Sequence, residues 1–433
     1  MMKQMIASLP EAAFIDTVLS DAALLDTVQR QTLRYFWDFG HPVSGMARER
    51  SAGQASYDVQ ETVTTGGTGF GIMAMIAGVE RGWISRAALA ERLTQICTFL
   101  IASPRYQGAF PHWMNGTTGQ TIAFSEHDDG GDIVETAFLM MGLLCARQYF
   151  RISHPGLAQM IDGMWRAVNW AGFCPEPARM MWHWRPGSTA GDPNHWAQDL
   201  PIRGWHEALI AFVLGAASPT HPIDPDAYQI GWKNSPTFRN GRDYAGIPLP
   251  LGPDWGGPLF FSHYSFLGLD PRGLTDGDAA YWDQNRNHTR INHAHCQANP
   301  GGYAGYGAAW GLTACDCAEG YDAFSPTNDH GTIAPTAALS AMPYTPELSL
   351  AALRHYWADY DGRLWGPFGF YDAFNETTDW VAESNLAIDQ GPIVVMIENH
   401  RSGLLWRLFM SVPELAGGLA RLGFRRASPP AQV

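Results

Sequence analysis

Carboxylates carry the chemistry of this sequence. Residues 128–135 hold Asp128, Asp129, Asp132 and Glu135 around two glycines, and the chain then turns apolar through Leu144. Asp132 and Glu135 are three residues apart, so on a helix they share a face. An acid at the N-cap with Glu at N3 is also a capping pattern, favoured by the helix dipole. A cap needs one or two carboxylates, however, and neighbouring acids repel. At least one of the four is therefore expected to serve a substrate.

A second acid, Glu207, stands in Arg203-Gly-Trp-His-Glu207, just ahead of the apolar run Ala208–Leu214. A carboxyl about to enter an apolar wall should hold its proton more tightly, as a general acid must. The structural alternative is a salt bridge to Arg203. A third group, Asp372, Glu376, Asp379, Glu383, Asp389 and Glu398, precedes or enters the last apolar helix. Asp389 takes the position before that helix that Asp132 takes before its own, and capping is again the alternative. Paired Asp/Glu across a cleft is the apparatus of glycoside hydrolysis, in which one acid protonates the leaving oxygen and the other activates water or attacks.

Aromatic residues crowd the same segments: Trp113, Trp182, Trp184, His195-Trp196, Trp205, Trp255, Tyr303, Tyr306, Trp365, Phe370 and Trp380 among them. Flat apolar faces beside polar groups suit a pyranose, and filling space under long loops is the alternative use. Other chemistries lack their parts. His293-Ala-His295-Cys296 has no further ligand at a recognisable spacing. Gly67-Thr-Gly69-Phe-Gly71 lacks the last glycine of a dinucleotide fingerprint. There is no Gly-Lys-Ser/Thr phosphate loop and no Gly-x-Ser-x-Gly elbow. The expected metal and cofactor content is none.

The elements that must position these acids are helices. Residues 20–39, 85–102 and 156–171 are amphipathic, with apolar positions at three- and four-residue spacing. Between them come helices apolar on most faces: Thr65–Gly78, Ile133–Arg147, Gly204–Ala217, a less clear one near Phe260–Leu267, Thr332–Met342 and Gly391–Asn399. Their starts recur at a loose repeat of 56–72 residues. Six buried helices ringed by six outer ones make an all-α (α/α)6 barrel with long loops at one end. The expected organisation is an N-terminal extension at 1–20, one barrel at 21–425 and a flexible tail at 426–433.

Composition agrees. Hydrophobic residues are 46% of the chain and charged residues only 16%, with 46 Gly and 17 Trp. The net charge of −14 and the absence of a basic run argue against a nucleic-acid partner. No continuous apolar leader or run of 18 apolar residues stands out, so no membrane partner is expected. The chain as given reads as cytoplasmic, or as periplasmic if a leader has been removed. The six cysteines do not form a zinc-knuckle spacing, since Cys315 and Cys317 have a single residue between them.

Several stretches together resemble a known family. They are Tyr35-Phe-Trp-Asp38, Asp128-Asp-Gly-Gly-Asp-Ile-Val-Glu-Thr-Ala137, Gly204-Trp-His-Glu207 with Ser218-Pro-Thr-His221, Pro258-Leu-Phe-Phe-Ser-His-Tyr264, Gly302-Tyr303, and Ile388-Asp-Gln-Gly-Pro392 with Glu398-Asn-His-Arg-Ser-Gly403. They resemble the glucoamylase-like family of bacterial β-1,2-glucanases, glycoside hydrolase family 144 and its clan relatives. The resemblance implies an (α/α)6 barrel and hydrolysis of a β-1,2-glucan or gluco-oligosaccharide with inversion. It implies Glu207 as general acid, acting through a substrate hydroxyl, and Asp389 as base, with Asp372, Asp379 and Glu383 as alternatives. The expected catalytic set is Glu207, Asp389 and Glu135. The expected substrate contacts are Asp128, Asp132, Trp113, Arg203, Trp205, His206, His263, Tyr303, Trp365, Phe370 and Glu383. Rival readings are a transglycosylase, phosphorolytic or exo-acting, sophorose-releasing relative using the same cleft, and a sugar-binding protein with a decayed site.

Overall fold

A computed structural model describes residues 19–53, 56–185 and 200–427. The expected extension at 1–20 and tail at 426–433 therefore lie almost wholly outside the described residues, as do His195 and Trp196.

Glycine and small residues let the central helices approach closely. The inner helices are α2 (Thr65–Glu80), α4 (Ile133–Phe150), α6 (Leu209–Ala217), α8 (Pro335–Ser340) and α10 (Ala387–Arg401). Helices α2 and α4 are buried over nearly their whole lengths, as helices apolar on all faces must be. A β-carbon on Gly69 would lie 2.2 Å from the Phe138 carbonyl oxygen, and one on Gly142 would lie 2.1 Å from the Gly69 carbonyl oxygen. The two backbones cross where neither has a side chain. Helix α4 is long and apolar enough to cross a bilayer by length and composition, but 89% of it is buried inside the protein.

Packing closes the ring. Helix α2 packs on α4, α4 on α6, α8 on α10 and α10 back on α2. Two short 3-10 turns, Leu259–Ser262 and Tyr264–Leu267, fill the remaining inner place. Outside lie α1 (Asp21–Trp37), α3 (Arg86–Ala102), α5 (Pro155–Ala167), α7 (Tyr281–Ala298), α9 (Pro346–Ala358) and α12 (Pro413–Arg421), with α11 (Leu404–Met410) bridging α4 and α10. The architecture is the (α/α)6 barrel that the periodicity implies.

Three inner elements are shorter than their sequence pattern suggests. Helix α8 is six residues, because Pro335 opens it and Pro343 follows it, and proline cannot donate to the helical ladder. Helix α6 begins at Leu209 rather than Gly204, whose φ of +83° turns the chain just before it. Between 259 and 267 a helix gives way to 3-10 turns, where the Ser265 hydroxyl engages the neighbouring backbone, accepting from Ile210 N–H and donating to the Glu207 carbonyl.

Short hairpins crown the end of the barrel where α2, α4 and α10 begin. Thr62–Thr64 pairs with Trp113–Asn115, which pairs with Thr121–Ile122. Gly131–Asp132 pairs with His183–Trp184, and Ala314–Cys317 with Gly320–Ala323.

Candidate active site

The hairpins and helix starts enclose a cavity of about 1010 Å³. Its lining includes Asp128, Asp132, Glu135, Glu207, Glu49 and Glu383, with aromatic faces from Tyr57, Trp113, Phe124, Trp182, Phe260 and Trp380.

The start of α4 forms one wall. Asp132 is its N-cap, and Oδ1 accepts from Val134 N–H at 2.8 Å and Glu135 N–H at 2.9 Å. The other oxygen is not spent on the cap: Oδ2 accepts from Trp182 Nε1 at 3.2 Å and lies 3.5 Å from His183 Nε2. Capping and site-building are thus shared between the two oxygens of one residue. Glu135 does not close a capping box. It reaches across to the start of α2, where Oε2 accepts from Gly66 N–H at 2.7 Å.

His112 sits among these acids, 2.7 Å from Asp128 Oδ2 through Nδ1 and 3.8 Å from Glu135 Oε1 through Nε2. Its ring stacks on Phe124 at 4.2 Å. Burial disfavours its charge, but Glu135, Asp128 and Asp132 outweigh burial and push His112 up to about 10. Burial likewise pushes the Glu135 carboxyl up to about 7, against the pull of His112. Burial works against ionisation of Asp132 too, but hydrogen bonding to His183 and the two imidazolium charges hold it below the usual carboxylate range. One wall therefore carries an ionised carboxylate and a carboxyl balanced between its two forms. His112, Asp128 and Asp132 also offer three ligand atoms within 4.8 Å of one another, a spacing that could hold a metal ion.

Glu207 stands in the turn before α6, half-buried rather than inside the apolar wall, its side chain 15% exposed. Arg203 is exposed and donates to the Asn234 carbonyl, so the Arg203 salt bridge is not what holds Glu207. The neighbour of Glu207 is His206, whose Nδ1 lies 3.4 Å from Oε2 and whose ring stacks on Trp182.

The third wall is acidic and deeply buried. Leu386, not Asp389, is the N-cap of α10, which places Asp389 inside the first turn. Asp389 Oδ1 accepts from the Tyr264 hydroxyl at 3.4 Å, and Tyr264 lines the cavity. Burial pushes Asp389 up to about 7. Beside it lies Asp372, whose Oδ2 accepts from Asp316 N–H at 2.7 Å. Asp316 in turn receives Arg50 Nη1 at 3.0 Å and the Ser384 hydroxyl. Arg50 also pairs with Glu49 at 2.8 Å.

Other expected contacts fall elsewhere. Trp205 is buried among Phe238, Phe266 and Tyr281. His263 is buried against Tyr344, and burial pushes it down to about 3. Trp365 and Phe370 pack on each other at 4.9 Å in the core behind α9. Tyr303 donates to the Asp329 carbonyl and does not line the cavity. Asp379 is exposed and pairs with Arg363, and Glu398 pairs with Arg81. Trp205, His263 and Phe370 are buried among other side chains and do not line the cavity. Sequence reasoning passed over His112, His183, Glu49, Arg50, Tyr264 and Asp316. The signals were present in Arg48-Glu-Arg50, a charge cluster in a charge-poor chain, and in Trp182-His-Trp184.

Comparison with known proteins bears on this geometry. The Glycoamylase family model matches residues 199–413. An endo-β-1,2-glucanase from Chitinophaga pinensis, solved with sophorotriose and glucose, is 47% identical, with a TM-score of 0.90 over 94% of this chain and 99% of that one. The chain belongs to the glucoamylase-like family. A second relative, an exo-β-1,2-glucooligosaccharide sophorohydrolase (non-reducing end) from Parabacteroides distasonis, is 40% identical over 93% of this glucoamylase-like chain, which spans 58% of that relative's length. An endo-β-1,2-glucanase from Talaromyces funiculosus, 11% identical with a TM-score of 0.66 over 94% of this chain and 91% of that one, shares the barrel fold.

Proposed function

We propose that this protein is an inverting glycoside hydrolase of β-1,2-linked glucose chains, with Glu207 as general acid and Asp389 as general base. Residues 21–425 form its catalytic barrel. The carrying observation is one cavity lined on one wall by Glu207 and, on another, by Tyr264, whose hydroxyl is bonded to buried Asp389. The relatives named endo-β-1,2-glucanase and sophorohydrolase support the substrate class.

In the proposed reaction the bond from the anomeric carbon to the glycosidic oxygen breaks, and that oxygen takes the proton of Glu207. Water attacks the opposite face of the sugar. Its proton reaches Asp389, which lies behind Tyr264, and a hydroxyl replaces the leaving group with inverted configuration. Trp113, Phe124, Trp182 and Trp380 supply stacking faces, and the His112 imidazolium with Asp128 and Asp132 supplies donors and acceptors for sugar hydroxyls.

The test is incubation with β-1,2-, β-1,3- and β-1,4-glucans and with sophorose, following products and anomeric form by NMR. The expected result is cleavage of the β-1,2 chain alone, with the α-anomer appearing first. Release of the β-anomer first, or no preference for the β-1,2 linkage, overturns the reading. The name of the Parabacteroides distasonis relative favours a second, exo-acting reading, in which the products are sophorose alone rather than a range of lengths.

A further inference from the structure

Two buried carboxyl oxygens beside the cleft, Asp372 Oδ1 and Asp389 Oδ2, have no donor among the described residues while both groups are ionised. Asp372 is 2% exposed and Asp389 is 1% exposed, so water does not screen them. Two adjacent buried carboxylates repel strongly, and an unmet buried oxygen is costly. A single proton removes both problems, because the two side chains lie within hydrogen-bonding reach of each other.

We propose that Asp372 is the positioning residue of the general base: it keeps that proton and donates it as a hydrogen bond to Asp389 Oδ2, leaving Asp389 Oδ1, the oxygen contacted by Tyr264, to receive the proton of the attacking water. This rests on the reading of Asp389 as base.

The surroundings decide which carboxyl keeps the proton. Burial, then the charges of Asp389 and Asp316, push Asp372 well above the carboxylate range. For Asp389 the hydrogen bond from Asp372 works in the opposite sense and favours the anion. The other charged or titratable groups facing the pair are Glu49, Cys315, Tyr321, Tyr264 and Tyr35. The cation at hand, Arg50, is already engaged by Asp316 and Glu49 and does not bond either member. Asp372 Oδ2 is fixed by Asp316 N–H, so Oδ1 is the atom free to carry the proton.

The experiment compares Asp372→Asn and Asp372→Leu with wild type by pH profiles of kcat and KM on a β-1,2-gluco-oligosaccharide. Asparagine retains an acceptor for Asp316 N–H and a neutral donor for Asp389. Its kcat is expected to stay within about tenfold of wild type, with the acidic limb of the profile unmoved. Leucine removes the donor. Its kcat is expected to fall about a hundredfold at unchanged KM, with the acidic limb moved up by about one pH unit or more.

An acidic limb that moves down by about a unit in Asp372→Asn overturns the proposal, because it means that a negative charge was removed. Equal losses in both variants with unmoved limbs also overturn it, as a purely structural role. If the leucine variant does not fold, the limb of the asparagine variant decides. The infrared carboxylic-acid stretch at neutral pH gives an independent reading: it must lose a component in Asp372→Asn, and an unchanged band overturns the proposal. Asp389→Asn separates the two levels. If that variant keeps its activity, the base assignment fails. If it is inactive while the Asp372 variants give an overturning pattern, only the present inference fails.

Discussion

At the scale of single residues, the site divides its acids by environment. Glu207 lines the cleft, and Ser265 bonds its backbone carbonyl rather than its carboxyl. Glu207→Gln keeps the shape and removes the proton. It is expected to fold like wild type by circular dichroism and to lose about a thousandfold in kcat, at the middle of the range for a general acid. Full activity in that variant would sink the assignment. His112 answers a different question. Its position among Asp128, Asp132 and Glu135 puts a proton where a cation is needed, and a metal bound there would have to displace it. Dialysis against a chelator is therefore expected to leave kcat within about twofold, and added zinc to inhibit more strongly as pH rises and the imidazole proton becomes easier to remove. A chelator-inactivated enzyme restored by one divalent ion would show that the three ligand atoms serve a metal.

At the scale of elements, the site depends on helix starts held close together. Glu135 can bond Gly66 only because α2 and α4 touch at Gly69 and Gly142. Gly69→Ala or Gly142→Ala forces the backbones apart and should cost about 1–3 kcal/mol as overpacking, read as a lower urea midpoint. Gly163→Ala on the outer helix α5 meets no atom within 4 Å and should instead stabilise by about 1 kcal/mol, since alanine favours the helix. Equal effects at all three positions would contradict the packing argument. The same contrast explains what could be read in the sequence. Helices α2, α4 and α10 were legible because a segment apolar on every face has few places to go, and the acids at their starts came with them. The 3-10 turns at 259–267 were not, since Ser265 sets them by bonding another element. His112 and His183 reach the site through pairings of two or three residues, 62–64 with 113–115 and 131–132 with 183–184, too short to carry a periodic signal. Trp205, Trp365 and Phe370 looked like sugar platforms because composition does not separate an aromatic at the mouth of a barrel from one in its wall.

At the scale of the whole molecule, the buried titrating groups oppose one another below neutral pH and act in one direction above it. Glu135 and Asp389 are each pushed up to about 7 in the folded chain, against an ordinary value near 4. A group that binds its proton more tightly when folded contributes stability below its unfolded pKa and loses it as pH rises through the folded one. The two carboxyls therefore withdraw stability between about pH 4 and pH 7. His112 obeys the same sign in a higher window, from its ordinary 6.5 to about 10. Asp132 runs the other way, and its contribution is lost only in acid, below its ordinary 3.8. Buried His263 and His288, pushed down to about 3 and about 4, also run the other way and return stability as pH rises to their ordinary 6.5. The net charge of −14 at pH 7 adds self-repulsion that also grows with pH. The opposing carboxyl and imidazole contributions leave the melting temperature nearly level from pH 5 to pH 7, and it is expected to fall by a few degrees from pH 7 to pH 10. Self-repulsion alone would give the same slope in any variant, so a variant must separate the causes. His112→Asn should flatten the decline above pH 7, as measured by scanning fluorimetry across buffers of equal ionic strength. A profile in that variant parallel to wild type above pH 7 would assign the upper window to surface charge and remove the imidazolium from the site.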